Sequence, residues 1–172
     1  MHTTQRRAWL RSALAPLSAV ALASCGFALR SSQKFPFKTL YTGPIAASPL
    51  LIELSRQVAG TGGVEVIIDQ RQVERADVIF ELLQEQREKV VAGRTSSGSV
   101  REFLLRTNLR FRLRTREGKE LIPETLLVST TDISYNETLA LSKDQEEQML
   151  YSNMGKDLVG QIVRRMAALT SL

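Results

Sequence analysis

Histidine occurs once in the 172 residues, at His2, and cysteine once, at Cys25. Both fall in or at the edge of a stretch with the marks of a targeting segment. Its removal leaves a mature chain without histidine and without a thiol free for catalysis. That excludes histidine-based triads, His/Cys zinc sites and cysteine nucleophiles, which need those side chains as base, ligand or thiolate. The apolar run Ala13–Ala23, about eleven residues interrupted by Pro16, falls short of the roughly 20 needed to cross a bilayer as a helix. No internal repeat is visible. What remains is ordinary globular material: 43% hydrophobic, 6% aromatic and 24% charged residues, with room for one core and too much apolar content for disorder.

The first residues have a secretory pattern. Arg6, Arg7 and Arg11 precede the apolar run, and Leu22-Ala23-Ser24-Cys25 resembles the bacterial lipobox, in which small residues precede a cysteine that becomes lipidated and N-terminal. Cys25 is therefore the expected acylation point. Arg6-Arg7-Ala8-Trp9-Leu10-Arg11 also looks like a twin-arginine export motif, and an ordinary basic leader leads to the same destination. Gly26 after the cysteine, rather than Asp, favours sorting to the outer membrane. Removing residues 1–24 takes away three of the 23 basic side chains and none of the 18 acidic ones, leaving a charge of +2. The high pI of the whole chain is thus no nucleic-acid footprint.

The expected organisation is a signal peptide over 1–24, a lipidated tether over 25–37 and one domain over 38–172. Lys38–Thr42 reads as a short strand ended by Gly43-Pro44. Ser48-Pro49 gives an N-cap and a proline at the first helical position, and Leu50, Leu51, Leu54 and Val58 form a stripe at helical spacing. Gly60, Gly62 and Gly63 stop that helix, and Val64–Ile68 reads as a second strand. From Asp77 to about Val91, Val78, Phe80 and Leu82 alternate with Ile79, Glu81, Leu83, Glu85 and Arg87. After the turn Gly93–Ser99 the alternation resumes: Phe103, Leu105, Thr107, Leu109, Phe111 and Leu113 share one face. Arg106, Arg110, Arg112 and Arg114 lie in a row on the other, with Glu81 and Glu85 as expected cross-strand partners. Thr125–Tyr135 completes an antiparallel meander. Ser142-Lys143-Asp144-Gln145 is a capping-box pattern. Beyond it Leu150, Met154, Leu158, Ile162, Met166 and Leu169 mark a long amphipathic helix. The expected fold is α+β, with two helices packed on one face of a mostly antiparallel sheet of about four to five strands.

Chemistry-bearing patterns are few. Asp144, Glu146 and Glu147 are placed for a helix dipole rather than a metal. Gly60-Thr61-Gly62-Gly63 follows a helix instead of opening one, so it lacks the setting of a phosphate-cradling loop. No cofactor, metal site or catalytic group is expected. The arginine row remains as a basic contact face, because arginine pairs bidentately with phosphate or carboxylate.

The residues themselves resemble a family. Cys25-Gly26-Phe27-Ala28-Leu29-Arg30 is similar to the Cys-Gly-aromatic-x-Leu-Arg start of the LptE lipopolysaccharide-assembly lipoproteins. Leu139-Ala140-Leu141-Ser142-Lys143-Asp144 resembles the segment before that family's last helix, and Leu54-Ser55-Arg56 with Gly63-Val64-Glu65 resembles its first helix and following strand. The resemblance implies a non-enzymatic lipoprotein, held by its acyl anchor in the inner leaflet of the outer membrane. Such a protein plugs the β-barrel LptD one-to-one and binds lipopolysaccharide. It also implies lipopolysaccharide contacts at Lys143 and, by the nearest match in the hairpin turn, at Arg94, with Arg101 as a substitute. Nucleic acid is not an implied partner. The alternative role is that of a lipid-anchored auxiliary subunit of another envelope transport complex.

Overall fold

The computed structural model describes residues 33–44, 46, 48–136 and 140–172. The export segment, Cys25, the Cys25–Arg30 motif and Leu139 lie outside the described residues. In chain order the elements are β1 (Thr39–Tyr41), α1 (Pro49–Ala59), β2 (Glu65–Ile67), a 3-10 segment (Gln70–Arg75), β3 (Val78–Arg94), β4 (Val100–Thr115), β5 (Glu120–Ser134) and α2 (Ala140–Ala167). The sheet order is β2-β1-β3-β4-β5. β1 pairs in parallel with both β2 and β3, whereas β3, β4 and β5 form the expected antiparallel meander. The result is an open, mixed five-stranded sheet in an α+β fold.

α1 starts where its sequence directs. The Ser48 hydroxyl accepts from the Leu50 amide at 3.1 Å and Pro49 follows in the first turn, so one orphan donor is satisfied and another never existed. Leu50, Leu51, Leu54 and Val58 are all buried. Each fully buried aliphatic side chain is worth about 1.5–3 kcal/mol, whereas propensity differences stay below about 1 kcal/mol per residue. Packing therefore holds this helix more than propensity does. Its stripe meets Val78 and Phe80 of β3, Leu109, Phe111 and Leu113 of β4, and Leu158, Ile162 and Met166 of α2 in one main core. Phe80 and Phe111 stack across the strand pair at 5.5 Å. The folded unit also takes in Phe37, buried in that core, and Phe35 beside it, with ring centroids 5.2 Å apart.

β1 is only three residues long, and Asp77 anchors it. Its Oδ2 accepts from the amides of Lys38 and Thr39 at 2.8 and 3.0 Å. Burial pushes the Asp77 carboxyl up, but those amides, the Thr39 hydroxyl and the Lys38 charge outweigh it and hold the group below its ordinary value. A separate small cluster of Ile67, Ala76 and Ile79, joined by Tyr41 and Val73, lies against the 3-10 segment. The β3–β4 and β4–β5 turns close on Gly98 (φ +89°) and Gly118 (φ +95°), a backbone region that glycine enters without strain.

One difference from the expected pattern reorganises the far half of the sheet. Leu82 pairs with Phe111, but the next paired residue is Gln84, opposite Arg110, so Leu83 is an extra residue in β3. A bulge shifts the side-chain period by one. Beyond it Glu85, Arg87 and Lys89 stand opposite Leu109, Thr107 and Leu105, on the helix-covered face and not on the open face with Glu81. The bulge thus turns three charged side chains inward toward α2.

The second helix also starts differently. It begins at Ala140, so Ser142 lies inside its first turn and not at its N-cap. Asp144 and Glu146 fall beyond the first turn, which holds no acidic residue.

Candidate functional site

The open face carries the arginine row, and each arginine has an acidic partner. Arg106 approaches Glu88 at 3.5 Å and Arg110 donates to Glu124 at 2.8 Å. Arg112 and Arg114 both donate to Glu81, the latter at 2.9 Å. Burial raises the pKa of Glu81, but the two guanidiniums overcome it and hold the carboxyl below the ordinary glutamate range. Glu81 is a cross-strand partner as expected. Glu85 is not, since the bulge takes it to the other face, and Glu88 and Glu124 stand in its place. The row is thus a charge ladder alternating across three strands, flanked by the exposed apolar side chains Leu126 (53%) and Val128 (49%). Half-exposed pairs of this kind contribute about 0–1 kcal/mol each, so the ladder does little for stability and gives the face polarity with little net charge.

Lys143 sits near the start of α2, where the positive end of the helix dipole disfavours a cation. Its ammonium donates to Glu146 at 2.8 Å and to the Ser134 hydroxyl at 3.2 Å, and its side chain is 17% exposed. Ser134 is paired with Glu102, which faces Gly93, and Arg94 faces Val100. Sheet register and the Ser134 bond therefore bring Lys143, Arg101 and the Arg94 hairpin to one end of the sheet. Arg94 itself is exposed and donates to the Gly98 carbonyl at 3.0 Å, inside its own turn.

The inward-turned residues beyond the bulge form a second polar constellation that sequence reading missed. Lys89 pairs with Glu147 of α2 at 2.5 Å and lies 4.5 Å over the Phe103 ring. Phe103 meets Tyr135 edge-on at 5.3 Å. Arg87 covers Tyr151 at 5.3 Å, and the Tyr151 hydroxyl donates to the Glu88 carbonyl at 2.8 Å. Burial, then the Glu147 carboxylate, raises the Tyr151 phenol above its ordinary range. The Ser48 hydroxyl reaches Glu85 at 2.5 Å. Residues Leu105, Ile133, Tyr151 and Met154 make a small core of their own beneath. The only signal in the sequence was Leu82-Leu83, two apolar residues where alternation calls for one.

Among the described residues no group of three or more His, Cys, Asp or Glu side chains comes together, and none of the helices is long and apolar enough to cross a membrane. What the geometry offers is charged and hydrogen-bonding surface suited to recognition.

Comparison with known proteins agrees in kind. The family described as LptE: Lipopolysaccharide-assembly matches residues 36–166. A lipoprotein B from Nitrosomonas europaea, solved by solution NMR, is 30% identical with a TM-score of 0.71, over 84% of this chain and 92% of that one. A minor lipoprotein from Acinetobacter baumannii shares 22% identity and a TM-score of 0.60, covering 78% of this chain and 94% of that one. The rare lipoprotein B from Shewanella oneidensis shares 17% identity and a TM-score of 0.62, covering 76% and 95%. These two likenesses speak to the fold. No curated protein sequence matches the chain.

Proposed function

Because the chain belongs to the LptE family of lipopolysaccharide-assembly proteins, we propose that it is an outer-membrane lipoprotein, acylated at Cys25, that plugs an LptD-type β-barrel and binds lipopolysaccharide on its way to the cell surface. The family is one of non-catalytic envelope proteins, and the role proposed is recognition and assembly, not turnover.

The observation that carries this reading is the gathering of Lys143, Arg101 and Arg94 at one end of the sheet by β-strand register and the Lys143–Ser134 hydrogen bond. Lipid A phosphates are the anions such an end would meet. Lys143 is held in place by Glu146 and Ser134, so its ammonium is pre-positioned, and a phosphate replaces Glu146 by a stronger charge-assisted contact. The open face, neutralised by its own charge ladder and bearing Leu126 and Val128, is the side offered to the barrel wall. A face of paired charges and scattered apolar groups suits a close contact better than a bare arginine row, whose desolvation would be costly.

Two measurements test the reading. Co-purification of the tagged, acylated protein in mild detergent should recover a large β-barrel in equal amount. Recovery alone, or with an inner-membrane transporter, would favour the auxiliary-subunit role. Lys143→Glu should weaken lipopolysaccharide binding while leaving the protein folded, at a stability cost of about 1–2 kcal/mol for the lost Glu146 pair and Ser134 hydrogen bond. Unchanged binding by the charge-reversed protein removes Lys143 from the site.

A further inference from the structure

The inward-turned half of the helix-covered face borders a solvent-open cavity of about 250 Å³ between the start of α1, the middle of α2 and strands β3 and β4. Thr107 lines it. This side chain is 2% exposed, and its hydroxyl is the buried side-chain polar atom without a hydrogen-bond partner among the described residues. An orphaned hydroxyl carries its full desolvation cost, so its persistence on a cavity wall asks for an occupant.

The other polar groups of the wall say which kind. The carboxylates are engaged: Glu85 accepts from Ser48 and lies 3.6 Å from Arg87, and Glu53 accepts from Gln57 at 2.8 Å and from Arg56. The donors are held more loosely. Lys156, at the exposed rim, donates to no described residue and acts on Glu53 through its charge alone, and Arg87 makes a 3.6 Å approach to Glu85 and a stacking contact on Tyr151. α1 points its N-terminal end at the same cavity through Pro49 and Leu50, with no acidic residue in its first turn, which adds a positive partial charge. Leu50, Pro49 and the Tyr151 ring complete an apolar wall.

We propose that this cavity is a binding site for a small anionic group, a phosphate monoester or a carboxylate, held by Lys156, Arg87 and the Thr107 hydroxyl, with its carbon body against Leu50 and Tyr151. Its volume falls below the roughly 300–1,000 Å³ of pockets for drug-sized ligands, so it takes a headgroup or a small acid and not an acyl chain. It is also separate from the Lys143 end. Thr107 pairs with Ser129, five residues along β5 from the Ser134 that holds Lys143, about 17 Å at the strand rise. The site therefore stands whether or not Lys143 contacts lipopolysaccharide.

Calorimetric titration of the full-length lipoprotein in neutral detergent tests it, with inorganic phosphate, acetate and dihexanoyl phosphatidic acid as probes. At least one probe should bind. Lys156→Gln should raise its dissociation constant about tenfold, and Thr107→Val, which keeps the shape and removes the hydroxyl, should raise it several-fold. Lys119→Gln, in the β4–β5 turn away from both basic sites, should leave it unchanged. Tighter binding of the phosphatidic acid identifies a lipid headgroup as the source, and equal or weaker binding a free anion. The proposal is overturned if no probe binds, if binding survives both cavity variants unaltered, or if Thr107→Val raises the melting temperature without weakening probe binding, since the hydroxyl then meets no ligand.

Discussion

The helix-covered face of the sheet has two halves that differ in kind. Before the bulge at Leu83 it is dry: Val78, Phe80, Leu109, Phe111 and Leu113 meet both helices in the main core. After the bulge the same face carries Glu85, Arg87, Lys89 and Thr107, and α2 answers with Glu147, Tyr151 and Lys156 around a cavity. One chain thus uses one half of a surface for cohesion and the other for charged, partly solvated contacts. The difference lies in a single inserted residue, because side-chain period is 2 and one extra position exchanges the faces. Apolar cohesion and charged contacts are separated along the strands, not between domains.

If that division is right, substitutions in the two halves should differ in size. Phe111→Ala, in the dry half and fully buried, should cost about 3–5 kcal/mol, read as a lower denaturant midpoint. Asp77→Ala should cost about 1–3 kcal/mol, since two amides at the β1 junction lose a charged acceptor. Acid should act on the same group. Its folded pKa is depressed, so its contribution is complete above the unfolded value of about 3.9 and fades as pH falls through the lower folded one. Wild type should therefore lose stability below about pH 4, and the Asp77→Ala protein should lose less over that range. In the polar half, Tyr151→Phe removes one hydrogen bond to the Glu88 carbonyl and should cost about 0.5–1.5 kcal/mol. Hydrogen exchange should quicken along the first half of α2 and not around Leu158. Lys89→Met should change stability by less than about 1 kcal/mol, although it breaks the Glu147 pair. Losses in the polar half as large as that of Phe111→Ala would contradict the division.

Much of the dry half was legible. The α1 stripe and the row Leu105 to Leu113 were read at the positions that the structure buries, because burial on one face writes a period into the sequence. The meander followed from short turns between alternating segments. The parallel pairing of β1 with β2 and β3 was not legible, since three-residue strands carry no pattern that chooses a neighbour. The bulge left only a faint mark, the doubled Leu82-Leu83: the residues that follow are polar on both faces of β3, so the change of register makes no further break in hydropathy. That one residue hid the inward Arg87 and Lys89, and with them the cavity. The arginine row was seen at once, but its partners Glu88 and Glu124 depend on register and on reach across strands, which spacing along one strand does not contain. Lys143 was found through a family likeness rather than through physics. Its engagement by Ser134 belongs to tertiary structure.

The strand order has a practical consequence for handling this protein. Among the described residues the sheet ends on the three-residue β2 and on β5, whose fifteen residues present an outer rim. Pro123 interrupts donation near the start of that rim and Asp132 places a charge near its finish, but Thr125–Thr131 between them holds neither proline nor charge. Such a stretch is a template for strand addition. The protein prepared without its natural neighbour should associate as its concentration rises, and a charged substitution such as Thr130→Lys should keep it dispersed.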